Sequence, residues 1–281
     1  MNTVFVAAGP YSWGSSRMRA YWVADKMGAA VVQFGRPLPA ADTYVWQKSF
    51  DLDFIKANQD KRHYWDVCDP IWWFSPADVE SLIPWIDGAV FSSQALADDF
   101  KEWGGFSDLP IITIADRLDF AHFPMQRQHQ QVSPVRFIWF GIAVNRIALN
   151  GALTNLARLA ASGYKIELTI FDDRPDVQIS GFDFPIYHIG WYVATENAVL
   201  AAHDVALLPP YPGPWGQVKS NNKTITAAAC GLPATSGHNY GELTLLVEDC
   251  DMRQRGVDAY PLAHCDVQLS ADEWETIICH S

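Results

Sequence analysis

The sequence predicts an α/β protein made of two consecutive strand–helix units, and three observations carry that expectation. Short apolar, β-branched runs alternate with amphipathic helical patterns for most of the chain's 281 residues. Glycines punctuate those patterns at helix ends and strand exits. A polar stretch without periodicity, residues 123–134, interrupts the alternation near the middle. Apolar residues make up 49% of the chain and charged ones 19%, which supports a sizeable core and excludes a disordered chain. The formal net charge of −12 argues against a broad electrostatic grip on nucleic acid or an anionic membrane, while leaving room for a local basic site.

In chain order, residues 3–8 read as a buried first strand ended by Gly9-Pro10. Gly14, Ser15, Ser16 and Arg17 follow, then a helical pattern through Met18, Tyr21, Trp22, Ala24 and Met27 closed by Gly28, and a second strand over 29–34. Strand, glycine loop, helix, strand is the opening of a Rossmann-like unit. The loop lacks the G-x-G-x-x-G spacing of dinucleotide sites, so a nicotinamide or flavin is not expected. Residues 42–48 form a third strand, 52–60 a helix and 63–68 a fourth strand running into Asp69-Pro70. Parallel strands deliver their carboxyl ends to the ligand crevice, which puts Asp66 and Asp69 where chemistry happens, although an Asp before Pro also serves as a turn cap. Ile71, Trp72, Trp73 and Phe74 form an aromatic cluster, suited to a core or to an acceptor site. A helix over 75–85, a strand over 89–92, a helix over 93–103 and a strand over 111–114 leading to Asp116 complete the first unit.

The domain boundary is placed inside 123–134, giving units of residues 1–128 and 129–281. Strands at 135–140, 166–171, 186–189 and 205–209 alternate with helices at 147–161 and 195–202, spelling a second Rossmann-like half. A proline-stiffened loop with Tyr211 and Trp215, rings able to stack on a base or sugar, then leads into the polar run Lys219, Ser220, Asn221, Asn222, Lys223. That run opens a small-residue helix closed by Gly231 and Pro233. Free backbone N–H groups, a helix start and two ammonium groups in one stretch make a seat for phosphate.

This last segment resembles the second-domain motif of retaining GT-B glycosyltransferases, roughly K-x-x-x-K-x-x-E-A-x-A-x-G-x-P, through Lys219, Lys223, Ala227, Ala229, Gly231 and Pro233. Trp139 and Gly141 match a W-x-G earlier in that half, Asp204, Leu207 and Pro209 match D-x-x-L-x-P, and Asp66, Cys68 and Asp69 match a D-x-C-D-like segment. The resemblance implies an α/β, GT-B-like fold of two Rossmann-like domains facing a central cleft. It also implies transfer of a sugar from a nucleotide sugar, such as a UDP- or GDP-sugar, to a hydroxyl acceptor. On that reading Gly14, Ser15, Ser16, Arg17, Lys219, Ser220, Asn222 and Lys223 bind the donor, Asp69 is catalytic, and Trp72, Tyr211 and Trp215 stack on acceptor or base. Thr226 stands where the family has the glutamate that holds the donor ribose, and Val218 where it has an earlier one. Two function classes therefore stay open: a glycosyltransferase acting on a saccharide, a small molecule or a hydroxylated DNA base, and a non-catalytic protein of the same fold that binds a nucleotide or sugar. The resemblance fades after Tyr240, where the last helices are expected to be trimmed.

Two Asp-x-Asp strings, Asp51-Leu52-Asp53 and Asp249-Cys250-Asp251, do not follow hydrophobic strands, so no cofactor and no essential metal are expected. No G-x-S-x-G elbow or H-x-x-x-H pair is present, which removes the usual hydrolase signals. Five cysteines without C-x-x-C spacing fit reduced thiols. The N-terminus lacks a basic region and no apolar run reaches about 20 residues, so a cytoplasmic protein without a membrane span is expected.

Overall fold

The computed structural model describes residues 2–280 and divides into two compact α/β units. Residues 1–119, 214–221 and 265–281 form unit 1, and residues 120–213 and 222–264 form unit 2. The chain thus passes between units several times instead of once within 123–134.

Unit 1 carries a six-stranded parallel sheet of β1 (Thr3–Ala7), β2 (Ala30–Gln33), β3 (Thr43–Gln47), β4 (Arg62–Val67), β5 (Gly88–Phe91) and β6 (Ile111–Thr113), in the order β2-β1-β3-β4-β5-β6. The apolar runs of β1, β3 and β5 are fully buried, as a sheet covered on both faces requires. Side chains alternate across β4, so Trp65 and Val67 join a core with Trp46, Ile55, Val79, Leu96 and Phe100 on one face. Tyr64 and, on β1, Phe5 meet Trp274 edge-on at ring separations of 6.0 and 5.8 Å on the other face. Trp274 belongs to the helix Val267–His280, which packs beside the helical stretch 14–27. Three α-helices follow residue 239, Tyr240–Glu248, Cys250–Asp258 and Val267–His280. The last of them is needed because, without it, the Phe5 face of the sheet would lie open to water.

Local chemistry sets the helix limits. The Ser93 hydroxyl accepts from Leu96 N–H at 3.1 Å to start Gln94–Gly104, and Gly105, at φ 60°, ends it in the left-handed region. Both Asp-x-Asp strings are helix caps: Asp51 accepts from Phe54 N–H at 3.0 Å, and Asp249 accepts from Asp251 N–H at 2.8 Å.

Unit 2 carries a five-stranded parallel sheet of β7 (Val135–Gly141), β8 (Ile166–Asp172), β9 (Ile186–Gly190), β10 (Val205–Leu207) and β11 (Ala234–Thr235), in the order β11-β10-β7-β8-β9. Its core gathers Phe137, Trp139, Leu156, Ile170, Leu207 and Leu243. The polar stretch 123–134 is built into this unit. Arg127 N–H donates to the Cys230 carbonyl at 2.8 Å, and the buried Asp204 carboxylate accepts from Arg127 Nη2 at 2.6 Å and from Arg136 N–H at 2.9 Å. Gly231 allows this approach: a Cβ there would lie 2.7 Å from the Arg127 backbone, and its φ of 74° suits glycine. Each sheet reverses its winding order once, between β1 and β3 in unit 1 and between β7 and β10 in unit 2, and ligands of such sheets bind at the carboxyl ends there. No described helix is long and apolar enough to cross a membrane.

Candidate functional site

The carboxyl edge of the unit 1 sheet holds two linked charge clusters. In the first, Arg19 reaches in from the stretch 14–27 and is 4% exposed. Its Nε donates to Asp66 Oδ2 at 2.8 Å, while Nη1 donates to Asp116 Oδ1 and to the Ile114 carbonyl, both at 2.9 Å. Asp66 is the penultimate residue of β4 and Asp116 lies just beyond β6, so one guanidinium closes the space left where two strands stop. Burial would weaken the charge of Arg19, but the two carboxylates more than restore it. Burial lifts the Asp66 carboxyl above its ordinary range in spite of Arg19, with Asp116 adding to the push. Asp116 also accepts from the Ser220 hydroxyl, which ties the segment 214–221 to this edge.

The second cluster centres on Asp69, two residues past β4. Its carbonyl accepts from Ile71 N–H at 2.8 Å, so the backbone makes the turn before Pro70. Its carboxylate is engaged by two ammonium groups, Lys48 and Lys219. Burial pushes the Asp69 carboxyl up, yet Lys48 and Lys219 together hold it below the usual aspartate range. Asp69 is therefore an anion at neutral pH, with part of its surface open to a ligand.

Lys48 is placed by its backbone. It sits one residue past β3 at φ 62°, and among the described residues it is the sole non-glycine residue with positive φ. Such a conformation costs about 1–2 kcal/mol for a residue with a Cβ. Two bonds to β4 hold it there: Lys48 N–H donates to the Asp66 carbonyl at 2.8 Å, and Trp65 Nε1 donates to the Lys48 carbonyl at 3.0 Å. Burial alone would lower the Lys48 ammonium, but the Cys68 thiolate, formed only at high pH, and the Asp69 carboxylate raise it instead. The Cys68 thiol is itself pushed up to about 11, chiefly by burial, and stays protonated at neutral pH.

The structure sorts the residues that the sequence singled out. Lys219 and Ser220 lie in this site, on the segment 214–221, with Lys219 Nζ 4.7 Å from the Trp215 ring centroid. Trp215 packs on Phe74 and Trp73 at 5.3 and 6.1 Å, and Phe74 is 67% exposed. A partly open aromatic face thus adjoins Asp69's cation. Val218, in the place of a family glutamate, is a core residue of unit 1, and its carbonyl accepts from the Ser93 hydroxyl at 2.9 Å. Gly14 and Ser15 open the helical stretch and are half-buried.

Three of these residues are buried in unit 1. Ser16 is fully buried; its hydroxyl accepts from Gly9 N–H at 3.1 Å and donates to Gln47 Oε1 at 3.0 Å, so it pins the β1 loop instead of offering itself to a donor. Arg17 is 3% exposed, with its guanidinium 5.3 Å from the Trp22 ring centroid and 5.9 Å from that of Tyr11. The same helical stretch sends Arg19 to the sheet edge. Trp72 is 1% exposed, lies among Phe91, Phe100 and Trp103, and donates its Nε1–H to Asp99 at 2.8 Å, which makes it core and not an acceptor platform.

Asn222, Lys223 and Tyr211 belong to unit 2. Asn222 starts the helix Asn222–Ala229, and its carbonyl accepts from the Thr226 hydroxyl at 2.8 Å. Lys223 Nζ lies 5.2 Å from the Trp139 ring centroid, and a Cβ on Gly141 would come within 2.5 Å of it. The W-x-G match is thereby explained: the glycine clears space for the motif lysine at the carboxyl end of β7, beside the winding reversal. Tyr211 is half-buried in the loop after β10.

Sequence reasoning missed Arg19, Lys48 and the role of Asp116. The available signal was electrostatic, since carboxylates at the ends of parallel strands inside a packed unit require cations, and Lys48 stands one residue past β3.

Comparison with family models gives no match, and none is found among curated proteins. Solved structures share the fold. One, an alpha-glucosyltransferase in complex with UDP-glucose and DNA containing an abasic site, superposes with a TM-score of 0.68 at 10% identity over 99% of this chain and 98% of that one. An alpha-glucosyltransferase with UDP and a 13-mer DNA containing a HMU base gives 0.66 at 11% identity, again over 99% and 98%. The pneumococcal O-GlcNAc transferase GtfA in complex with UDP and GlcNAc gives 0.53 at 11% identity over 85% of this chain; the present chain spans 57% of its length.

Proposed function

We propose that the chain is a glycosyltransferase that moves a sugar from a nucleotide sugar to a hydroxyl acceptor with retention of configuration and without an essential metal. The observation that carries this reading is the grouping of Asp69, Lys48, Lys219 and Ser220 at the carboxyl edge of the first sheet, with Lys219 and Ser220 supplied by the motif segment. Sugar transfer asks a protein for a clamp on the leaving diphosphate, a polar cradle for the sugar and an oriented acceptor hydroxyl. Lys219 is the cation that unit 1 offers to the diphosphate, and Asp69 is the carboxylate it offers to the sugar or acceptor. The neighbours that hold UDP or UDP-glucose support a uridine-linked donor, with a GDP-sugar as the alternative. Among acceptors, a hydroxylated base in DNA is favoured by the two neighbours bound to DNA, which match over nearly their whole length. With a net charge of −12, such a protein would hold DNA by local contacts only, and strongly salt-dependent binding follows.

The test is turnover of a panel of UDP- and GDP-sugars, first as slow donor hydrolysis and then as transfer to an oligonucleotide carrying a hydroxymethylated base. Asp69→Asn should lower transfer by about 100-fold or more while nucleoside diphosphate affinity stays within about twofold. One observation favours the second reading, a non-catalytic nucleotide or sugar binder: the Thr226 hydroxyl is spent on the Asn222 carbonyl and offers no carboxylate to a ribose. Calorimetric binding of the diphosphate with no turnover of any donor would establish that reading and overturn the first.

A further inference from the structure

We propose that Lys48 is the positioning residue for Asp69, aimed at its carboxylate by the left-handed turn at the end of β3. The inference rests on the transferase reading for its consequence in catalysis, and on the geometry of unit 1 for itself. Two ammonium groups meet Asp69, but they are held differently. Lys48 is fixed by two hydrogen bonds to β4, and its side chain is 23% exposed. Lys219 lies on the segment 214–221, its side chain is 37% exposed, and its Nζ also lies over the Trp215 ring. A lysine in the left-handed region is retained where the surroundings need its side chain at one spot, since a glycine would make the same turn without strain. The arrangement divides the work: Lys48 keeps the carboxylate in place and charged, and Lys219 can leave it for an incoming anion.

The other groups facing Asp69 do not replace Lys48. Cys68 is held protonated by burial. Arg19 is committed to Asp66, Asp116 and the Ile114 carbonyl, and Ser220 donates to Asp116. Removing Lys48 therefore leaves Asp69 with Lys219 alone, on the more exposed and less constrained side.

The test follows the Asp69 carboxyl by carbon-13 NMR in the full-length chain across the acid range, in wild type and in Lys48→Met, Lys48→Gly, Lys48→Arg and Lys219→Met. Lys48→Gly removes the cation while relieving the backbone, so it keeps the experiment open if Lys48→Met folds poorly. The Asp69 midpoint should rise by about one pH unit in Lys48→Met and Lys48→Gly, return in Lys48→Arg, and rise less in Lys219→Met. An unmoved midpoint in folded Lys48→Gly, or a larger rise in Lys219→Met, would overturn the assignment. In donor turnover, the acid limb of kcat should move up with the midpoint in Lys48→Gly while KM for the donor stays within about twofold. A KM effect without movement of the acid limb would assign Lys48 to ground-state binding and refute a positioning role. Absence of turnover with every donor would overturn the transferase reading, and the carboxyl titration would still decide the role of Lys48.

Discussion

Replacing Arg19 by methionine puts the buried network under the heaviest load. The guanidinium serves two carboxylates and a carbonyl at 2.8–2.9 Å, and the three charged side chains are 4, 0 and 3% exposed. Methionine fills much of the volume but leaves Asp66 and Asp116 buried without their cation. Removal of one partner from a buried ion pair costs about 3–5 kcal/mol, whereas the intact pair contributes far less because desolvation offsets most of its attraction. Arg19→Met should therefore lose about 3–5 kcal/mol, lowering Tm by about 6–20 °C for a unit of this size. Adding Asp66→Asn in the same chain removes one stranded charge, so the double variant should be more stable than the sum of the two single losses by at least about 1 kcal/mol. Urea unfolding followed by near-ultraviolet circular dichroism, to which the buried Trp46, Trp65, Trp72 and Trp274 of this unit contribute, reads both quantities. A loss under about 1 kcal/mol in Arg19→Met, the worth of a surface pair, would refute the view that this cation closes the strand ends.

Trp72→Ala should cost about 3–5 kcal/mol of stability, read by urea unfolding, and leave donor hydrolysis per folded molecule unchanged at permissive temperature, because the ring is core. Gly141→Ala should lower Tm, since a φ of 156° strains a residue with a Cβ, and should weaken nucleoside diphosphate binding by roughly tenfold in calorimetry as the new Cβ displaces the Lys223 ammonium. Acidification should destabilise the fold in two stages. Burial holds His63 and His203 below the ordinary histidine value of about 6.5, so the stability they contribute is present above that value and is lost as pH falls through it and through their lower folded-state values. Burial opposes the charge of Asp69 and Asp204, but their lysine and arginine partners hold both below the ordinary value of about 3.9; their share is present above that value and is lost only as pH falls below it. A Tm that stays flat between neutral pH and about pH 5 would contradict the first stage.

Much of this protein was legible locally. Period-two and period-3.6 patterns are properties of neighbouring residues, so β1, β3, β4, β5, β7 and β8 and the helices between them follow from the sequence to within a residue or two at most ends. The place of Asp69 past a parallel strand, and of Lys219 and Ser220 in a polar turn before a small-residue helix, could be read the same way. What tertiary structure decided is which charges meet. Arg19 and Asp116 are 97 residues apart, Lys219 and Asp69 150 apart, and no periodicity links them. Whether Arg17 or Arg19 faces the sheet depends on the phase of a helical stretch that includes a π-helical turn over Arg17–Tyr21, which shifts the buried face. Trp72 looked like a platform because an aromatic side chain reads alike in a core and in a cleft, and only its packing among Phe91, Phe100 and Trp103 separates the two. The return of residues 214–221 and 265–281 to the first unit was equally hidden, because a single sequence records which surfaces are apolar but not which distant surface will cover them.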